Sequence, residues 1–269
     1  MDRIREAVTR ARSAQPKAGE TIAKTGGAVR FQSSSPIDPG AFKEVRCDFE
    51  KFPAHRIISN EQDPVLASYR ILRTRVLQKM EAEGLKTLAI VSPNSGAGKT
   101  VTAINLAIAI ASKSGTRVML VDLDFYRPSI ARYLGVQDAP SILDFFEGKM
   151  SLQDVTVRPD LPDMLLAANE RVSRRGAGHL TSPKADELLD RGVKEFGAQI
   201  MIFDLSPILG CDDSIAFLPK VDCALMIAAS GNTRESDLRD AMRLVGKTKL
   251  IGTVLNKAPA GSLTPTYYY

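Results

Sequence analysis

Thr87-Leu88-Ala89-Ile90-Val91-Ser92-Pro93-Asn94-Ser95-Gly96-Ala97-Gly98-Lys99-Thr100 is the stretch on which the fold turns. Its first five residues form a short, largely apolar run, the pattern of a buried strand. A glycine-bearing turn and Lys-Thr follow, then an apolar helical pattern over 101–112 that stops near Gly115. Strand, glycine turn, Lys-Thr and helix, in that order, make a phosphate-binding loop. Gly96 and Gly98 let backbone N–H groups curl around an anion, and the helix N-terminus adds roughly half a positive charge at the same point. Lys99 is expected to reach the β- and γ-phosphates of a nucleotide, and the Thr100 hydroxyl to ligate Mg²⁺. Ser95, Ala97 and Val101 complete the expected nucleotide-binding set. Pro93 stands where the usual spacing has its first glycine.

Working outward, two more apolar runs end in aspartate. Val118-Met119-Leu120-Val121 is followed by Asp122-Leu123-Asp124 and then Arg127-Pro128, while Ile200-Met201-Ile202-Phe203 is followed by Asp204-Leu205-Ser206-Pro207. Ligands bind at the carboxyl ends of strands in an open α/β sheet. Two like charges placed together there are costly unless a cation or a proton offsets them. Asp122 and Asp124 are therefore candidate catalytic carboxylates, Asp122 also a candidate metal ligand, and Asp204 has the setting of a carboxylate that holds Mg²⁺. Further strands are expected at 164–168, 224–228 and 250–255, with helices at 183–196 and 234–245. Asn256, at the end of the last strand, is placed for an adenine-side contact. Strands alternating with helices predict an α/β fold: a doubly wound, mostly parallel sheet with helices on both faces.

Composition sets limits on the rest. The chain has 269 residues, 44% hydrophobic and 25% charged, ordinary for a globular protein, with a net charge of +5. No apolar stretch approaches the ~18 residues of a membrane span, and no apolar signal core opens the sequence, so a cytoplasmic protein is expected. Cys47, Cys211 and Cys223 are isolated and read as reduced thiols rather than a metal or disulfide site. The basic residues are spread out, and neither a helix-turn-helix nor an aromatic RNA-reading motif is present, so no nucleic acid partner is expected.

The flanks differ from the centre. Residues 1–60 are poorly patterned, and 15–40 are rich in Ser, Pro, Gly and Lys; they read as a flexible extension, either a plain tail or a docking arm. The expected folded domain is 61–257. A helix begins at Asp63-Pro64, with Leu66, Tyr69, Leu72, Val76 and Leu77 on one stripe and Arg70 and Arg73 as surface neighbours. Residues 169–180, with three arginines and two glycines, are expected to be a mobile loop beside the ligand end of the sheet. Residues 258–269 form a flexible tail ending in Tyr267-Tyr268-Tyr269, long enough to reach ~35 Å when extended. A row of phenols on such an arm suits a phosphoryl acceptor.

In order and spacing, the loop, Asp122 to Pro128, and Asp204 to Pro207 resemble the bacterial tyrosine kinases of exopolysaccharide and capsule export. These belong to the deviant-Walker, MinD/ParA-like branch of P-loop proteins. The resemblance spans roughly residues 63–269, including Arg70-x-x-Arg73-Thr74 and the terminal tyrosines. It implies an ATP- and Mg²⁺-dependent protein-tyrosine autokinase. Asp122 would act near the attacking hydroxyl with Asp124 in support, Lys99 and Thr100 would bind phosphates and metal, and Tyr267, Tyr268 and Tyr269 would be phosphorylated. It further implies a homo-oligomer built through Arg70 and Arg73 and a membrane polysaccharide co-polymerase as activator. A cognate tyrosine phosphatase and recruitment to the inner face of the cell membrane complete the set. The sequence departs from the family at Ala67, where a Glu is usual, and at Ser206, where Pro is usual. A switch ATPase of the MinD/ParA kind is the alternative; such proteins usually carry a second Lys at the place of Asn94.

Overall fold

In a computed structural model of the chain, the described residues are 41–59, 63–113 and 115–259. Eight strands form one sheet: β1 (Lys43–Val45), β2 (Thr87–Val91), β3 (Val118–Asp122), β4 (Val157–Pro159), β5 (Met164–Ala167), β6 (Ile200–Asp204), β7 (Cys223–Ala229) and β8 (Lys249–Asn256). Their order is β1-β4-β5-β3-β6-β2-β7-β8, and only the β4–β5 pair is antiparallel. The β2-to-β3 connection skips a place that β6 fills, while β7 lies on the far side of β2. The sheet therefore reverses its winding beside β2, where a doubly wound sheet opens a crevice at its carboxyl edge.

The core has two halves because a strand sends alternate residues to opposite faces. Leu88, Ile90, Leu120, Ile202 and Leu225 face one hydrophobic cluster; Ala89, Val91, Val121, Phe203 and Met226 face the other. The first cluster is closed by α2 (Pro64–Glu83) and α3 (Lys99–Ala111), the second by α5 (Ile142–Phe146), α6 (Leu152–Val155), α8 (Pro183–Lys194) and α10 (Glu235–Leu244). The short helices α1 (Phe52–His55), α4 (Ile130–Leu134), α7 (Gly176–Leu180) and α9 (Asp212–Phe217) fill the connections. Asp63 caps α2 by accepting from Val65 N at 2.9 Å, Pro64 occupies its first turn, and Gly84 ends it in the left-handed region at φ 68°. Among the described residues no helix is long and apolar enough to cross a membrane.

Two regions differ from the expectation. Residues 41–59 are not a loose part of the extension but belong to the folded body. β1 pairs with β4, and Phe52, Ile57 and Ile58 are buried. Asn105, the polar break in the apolar α3, donates to Arg56 O at 2.9 Å and accepts from Ile58 N at 2.9 Å. The apolar residues of this segment are scattered without a helical or strand period, so no pattern announces the packing. Residues 169–180 are likewise tied down. Buried Asn169 donates to Arg171 O, Ser173 N donates to Phe125 O, Arg171 forks onto Asp144 and Glu147, and 176–180 are helical.

Candidate nucleotide site

The loop between β2 and α3 owes its shape to two glycines in the left-handed region, Gly96 at φ 78° and Gly98 at φ 90°. A side chain at Gly98 would be strained by the positive φ and would have to displace Asn256, because a Cβ there would come within 2.1 Å of Asn256 Nδ2. Asn256 is packed against the loop: its Nδ2 donates to Ala97 O at 2.9 Å and its Oδ1 accepts from Lys257 N at 2.8 Å. Pro93, in place of the first glycine, has its carbonyl taken by Leu209 N at 3.1 Å, which joins the loop to the segment after β6.

Register then brings the carboxylates together. Asp122 at the end of β3 lies opposite Asp204 at the end of β6, which is also opposite Ile90 of β2. Lys99 is buried, and its Nζ donates to Asp204 Oδ1 at 2.8 Å and reaches Asp124 Oδ2 at 3.4 Å. The Thr100 hydroxyl donates to Asp204 Oδ2 at 2.6 Å. Burial alone would lower the Lys99 pKa, but the Asp204 and Asp124 carboxylates outweigh it and hold the ammonium above its ordinary value. Burial raises Asp204, against the opposing pull of Lys99. Burial also pushes Asp122 up to about 8, with the Asp204 charge adding to it and the backbone N–H groups of Ile130 and Ser129 opposing.

The two aspartates after β3 have different surroundings. Both Asp122 oxygens face backbone: Oδ2 accepts from Ser129 N and Ile130 N at 3.0 Å each, and Oδ1 from Asp124 N at 3.2 Å. Asp122 is fully buried and organises the turn. Asp124 instead lines the cleft, its Oδ1 accepting from Ser206 Oγ at 2.9 Å and Arg127 N at 3.0 Å. The oxygens of Asp122 are turned toward backbone donors, whereas Asp124 borders the cleft.

The cleft has a volume of about 570 Å³ and takes in Ser95, Gly96, Ala97, Gly98, Lys99, Thr100 and Val101 on one wall, with Asp124, Tyr126, Arg127 and Ser206 opposite. Asn256 lines a neighbouring groove of about 480 Å³, which shares Gly98 and Val101 with the cleft and adds Tyr69, Leu72, Val254 and Pro259. Of the arginines expected at an oligomer face, Arg70 is exposed, whereas Arg73 Nη1 donates inward to Ala109 O at 2.9 Å, near the C-terminus of α3. Tyr267, Tyr268 and Tyr269 lie outside the described residues. Ser206, which braces Asp124, stands in the Asp204–Pro207 stretch without an expected role, and Lys257, whose Nζ donates to Gly96 O at 2.7 Å, belongs to no sequence motif. The second could have been suspected only from its place beside Asn256.

The nucleotide-binding domain described as CobQ/CobB/MinD/ParA matches residues 88–263. Among curated proteins, the chain is 27% identical over 198 residues to a putative tyrosine-protein kinase EpsB of Ralstonia nicotianae, a match covering 72% of this chain and 26% of that protein. The chain thus spans about a quarter of that relative's length. It is 24% identical to the tyrosine-protein kinase YwqD of Bacillus subtilis, covering 75% of this chain and 84% of that one. Among solved structures, the kinase domain of the Escherichia coli tyrosine kinase ETK superposes with a TM-score of 0.70 at 23% identity, covering 79% of this chain and 83% of that one.

Proposed function

The chain belongs to the CobQ/CobB/MinD/ParA nucleotide-binding family, and from that premise we propose that it is an ATP-dependent protein-tyrosine autokinase acting on its own terminal tyrosines. The observation that carries the reading is the convergence of Lys99, Thr100 and Asp124 on one cleft at a phosphate loop, with buried Asp204 bonded to Lys99 and Thr100 behind it. Relatives named as tyrosine kinases support the choice among the chemistries such a cleft can do.

The donors suit Mg²⁺, a hard cation that takes oxygen ligands. The Thr100 hydroxyl and an Asp204 carboxylate oxygen already lie 2.6 Å apart, and burial holds that carboxyl above its usual range, so a cation beside it is favourable. When bound, Mg²⁺ neutralises charge on the phosphates. Loop N–H groups and Lys99 hold the phosphates, and the apolar groove along Tyr69, Val101 and Leu255 beside Asn256 takes the adenine. Phosphoryl transfer needs alignment and charge neutralisation more than covalent chemistry. An unperturbed phenol has a pKa near 10, so a carboxylate assists by accepting its proton as the phenol oxygen bonds to the γ-phosphorus and the bond from that phosphorus to the departing ADP breaks. We assign this role to Asp124, a reading supported by its place at the cleft and by Ser206 and Arg127 N holding one of its oxygens while Lys99 Nζ lies 3.4 Å from the other. Asp122 acts behind it, holding the turn.

On this reading the terminal tyrosines receive phosphate from a neighbouring copy in a homo-oligomer in which Arg70 meets the adjacent subunit. A membrane polysaccharide co-polymerase activates the kinase at the inner face of the cell membrane, and a cognate phosphatase reverses it. The test is incubation with Mg-ATP, alone and with a co-polymerase's cytoplasmic segment, followed by mass spectrometry of the tail. Phosphate is expected on Tyr267, Tyr268 or Tyr269, absent from Lys99→Met and from the triple Tyr→Phe variant. ATP hydrolysis with no phosphotyrosine, even with the activating segment, would make the protein a switch ATPase.

A further inference from the structure

A phosphate loop binds with its N–H groups, so its carbonyls must point the other way. In this chain the two outward carbonyls at the glycine turn are each taken by a donor from the end of β8. Asn256 Nδ2 meets Ala97 O, and Lys257 Nζ meets Gly96 O at 2.7 Å. The partners of the second contact are 161 residues apart in sequence. Lys257 adopts φ 57°, a conformation that few residues other than glycine hold, and its own N–H is pinned by Asn256 Oδ1 at 2.8 Å. Among the described residues Lys257 makes no ion pair, so its charge is not spent on a carboxylate. At the other end of the loop, Asn94 stands where a MinD-type lysine is usual, and its Nδ2 is held by Asp237 Oδ2 at 2.7 Å.

We propose that Lys257 is a positioning residue of the nucleotide site: its ammonium holds the Gly96 carbonyl outward and strengthens the Ala97 N–H as a donor to the nucleotide's phosphates. The carbonyl of Gly96 and the N–H of Ala97 belong to one amide. A cation at the oxygen polarises that amide and makes its N–H a better donor, as hydrogen bonds in series reinforce one another. The same charge, one peptide unit behind the loop, adds to the positive potential felt by the phosphates. The second cation of this loop is thus supplied from behind by β8, and the Asn94 position is free to serve as an anchor.

The inference rests on the reading of the loop as a nucleotide site and is independent of tyrosine phosphorylation. It is tested on the full chain with Mg²⁺, by measuring equilibrium binding of ADP and of adenosine to the parent, Lys257→Gln and Lys257→Arg. A charged hydrogen bond is stronger than a neutral one, and part of its effect reaches the ligand, so Lys257→Gln is expected to weaken ADP roughly tenfold and adenosine less than about twofold. Lys257→Arg restores ADP binding to within about threefold. Far-UV circular dichroism and urea unfolding of the same samples identify a folding defect, in which case the ADP-to-adenosine ratio of the folded Arg variant, against the parent's, decides. Equal loss of ADP and adenosine makes Lys257 a merely structural prop and overturns the proposal, as does parental ADP affinity in Lys257→Gln. A parent chain that binds neither probe overturns the nucleotide reading itself.

Discussion

At Lys99, one buried ammonium faces three buried aspartates, and the balance between them governs the apo protein. Asp204 already has its pKa raised by burial, with Lys99 as the main opposing influence. In Lys99→Met that opposition is gone, so the Asp204 carboxyl rises further. Between the ordinary carboxylate range and this raised value the native state holds a proton that the unfolded chain has lost, so stability falls as pH increases through that window. Removing one partner of a buried pair costs ~3–5 kcal/mol. The urea midpoint of Lys99→Met in Mg²⁺-free buffer is therefore expected to drop most at pH 8 and to recover toward the parental value at pH 5. A midpoint offset that is the same at both pH values would mean that the lysine contributes packing and not charge. The loop, both acidic strand ends and Lys99 were legible in the sequence, because each is a local pattern. The split between Asp122 and Asp124 was not. Two aspartates at i and i+2 look alike until backbone N–H groups from Ser129 and Ile130, folded back by the turn at Arg127-Pro128, occupy one of them.

The helices sort along similar lines. Of the apolar stripe expected on α2, Leu66, Val76 and Leu77 are buried and Tyr69 and Leu72 half-buried. Its arginines are harder to read, because a side chain on the flank of a stripe can turn either way. Arg73 turns inward and donates near the C-terminal end of α3, where a cation is favourable, while Arg70 stays exposed. The two should therefore separate by experiment. Arg73→Ala is expected to lose ~0.5–1.5 kcal/mol of unfolding free energy and Arg70→Ala almost none. Arg70→Ala is the one expected to change oligomer mass in light scattering. Loss of assembly in Arg73→Ala at unchanged stability would restore a direct interface role to Arg73.

Across the whole molecule, the sheet extends farther than sequence patterning indicates. Strands β2, β3 and β5 to β8 are announced by runs of Val, Ile, Leu and Met, whereas β1 (Lys-Glu-Val) and β4 (Val-Arg-Pro) have three residues each and no such run, and β1 has one buried side chain. What binds residues 41–59 to the body is long-range: Phe52 is fully buried, and Asn105 holds the backbone at Arg56 and Ile58. Phe52→Ala is expected to cost ~3–5 kcal/mol, read as a lowered urea midpoint with no change in the slope of unfolding. A loss below about 1 kcal/mol would return the segment to the status of an appendage. The strand order has a geometric consequence as well. Residues 41–45 enter at one margin of the sheet and residues 256–259 leave at the other, seven strand spacings away. At ~4.8 Å per spacing that is on the order of 30 Å. Holding the molecule by its β1 margin, to a bead, a fusion partner or a surface, thus turns the β8 margin, with Asn256 and Lys257, away from the support.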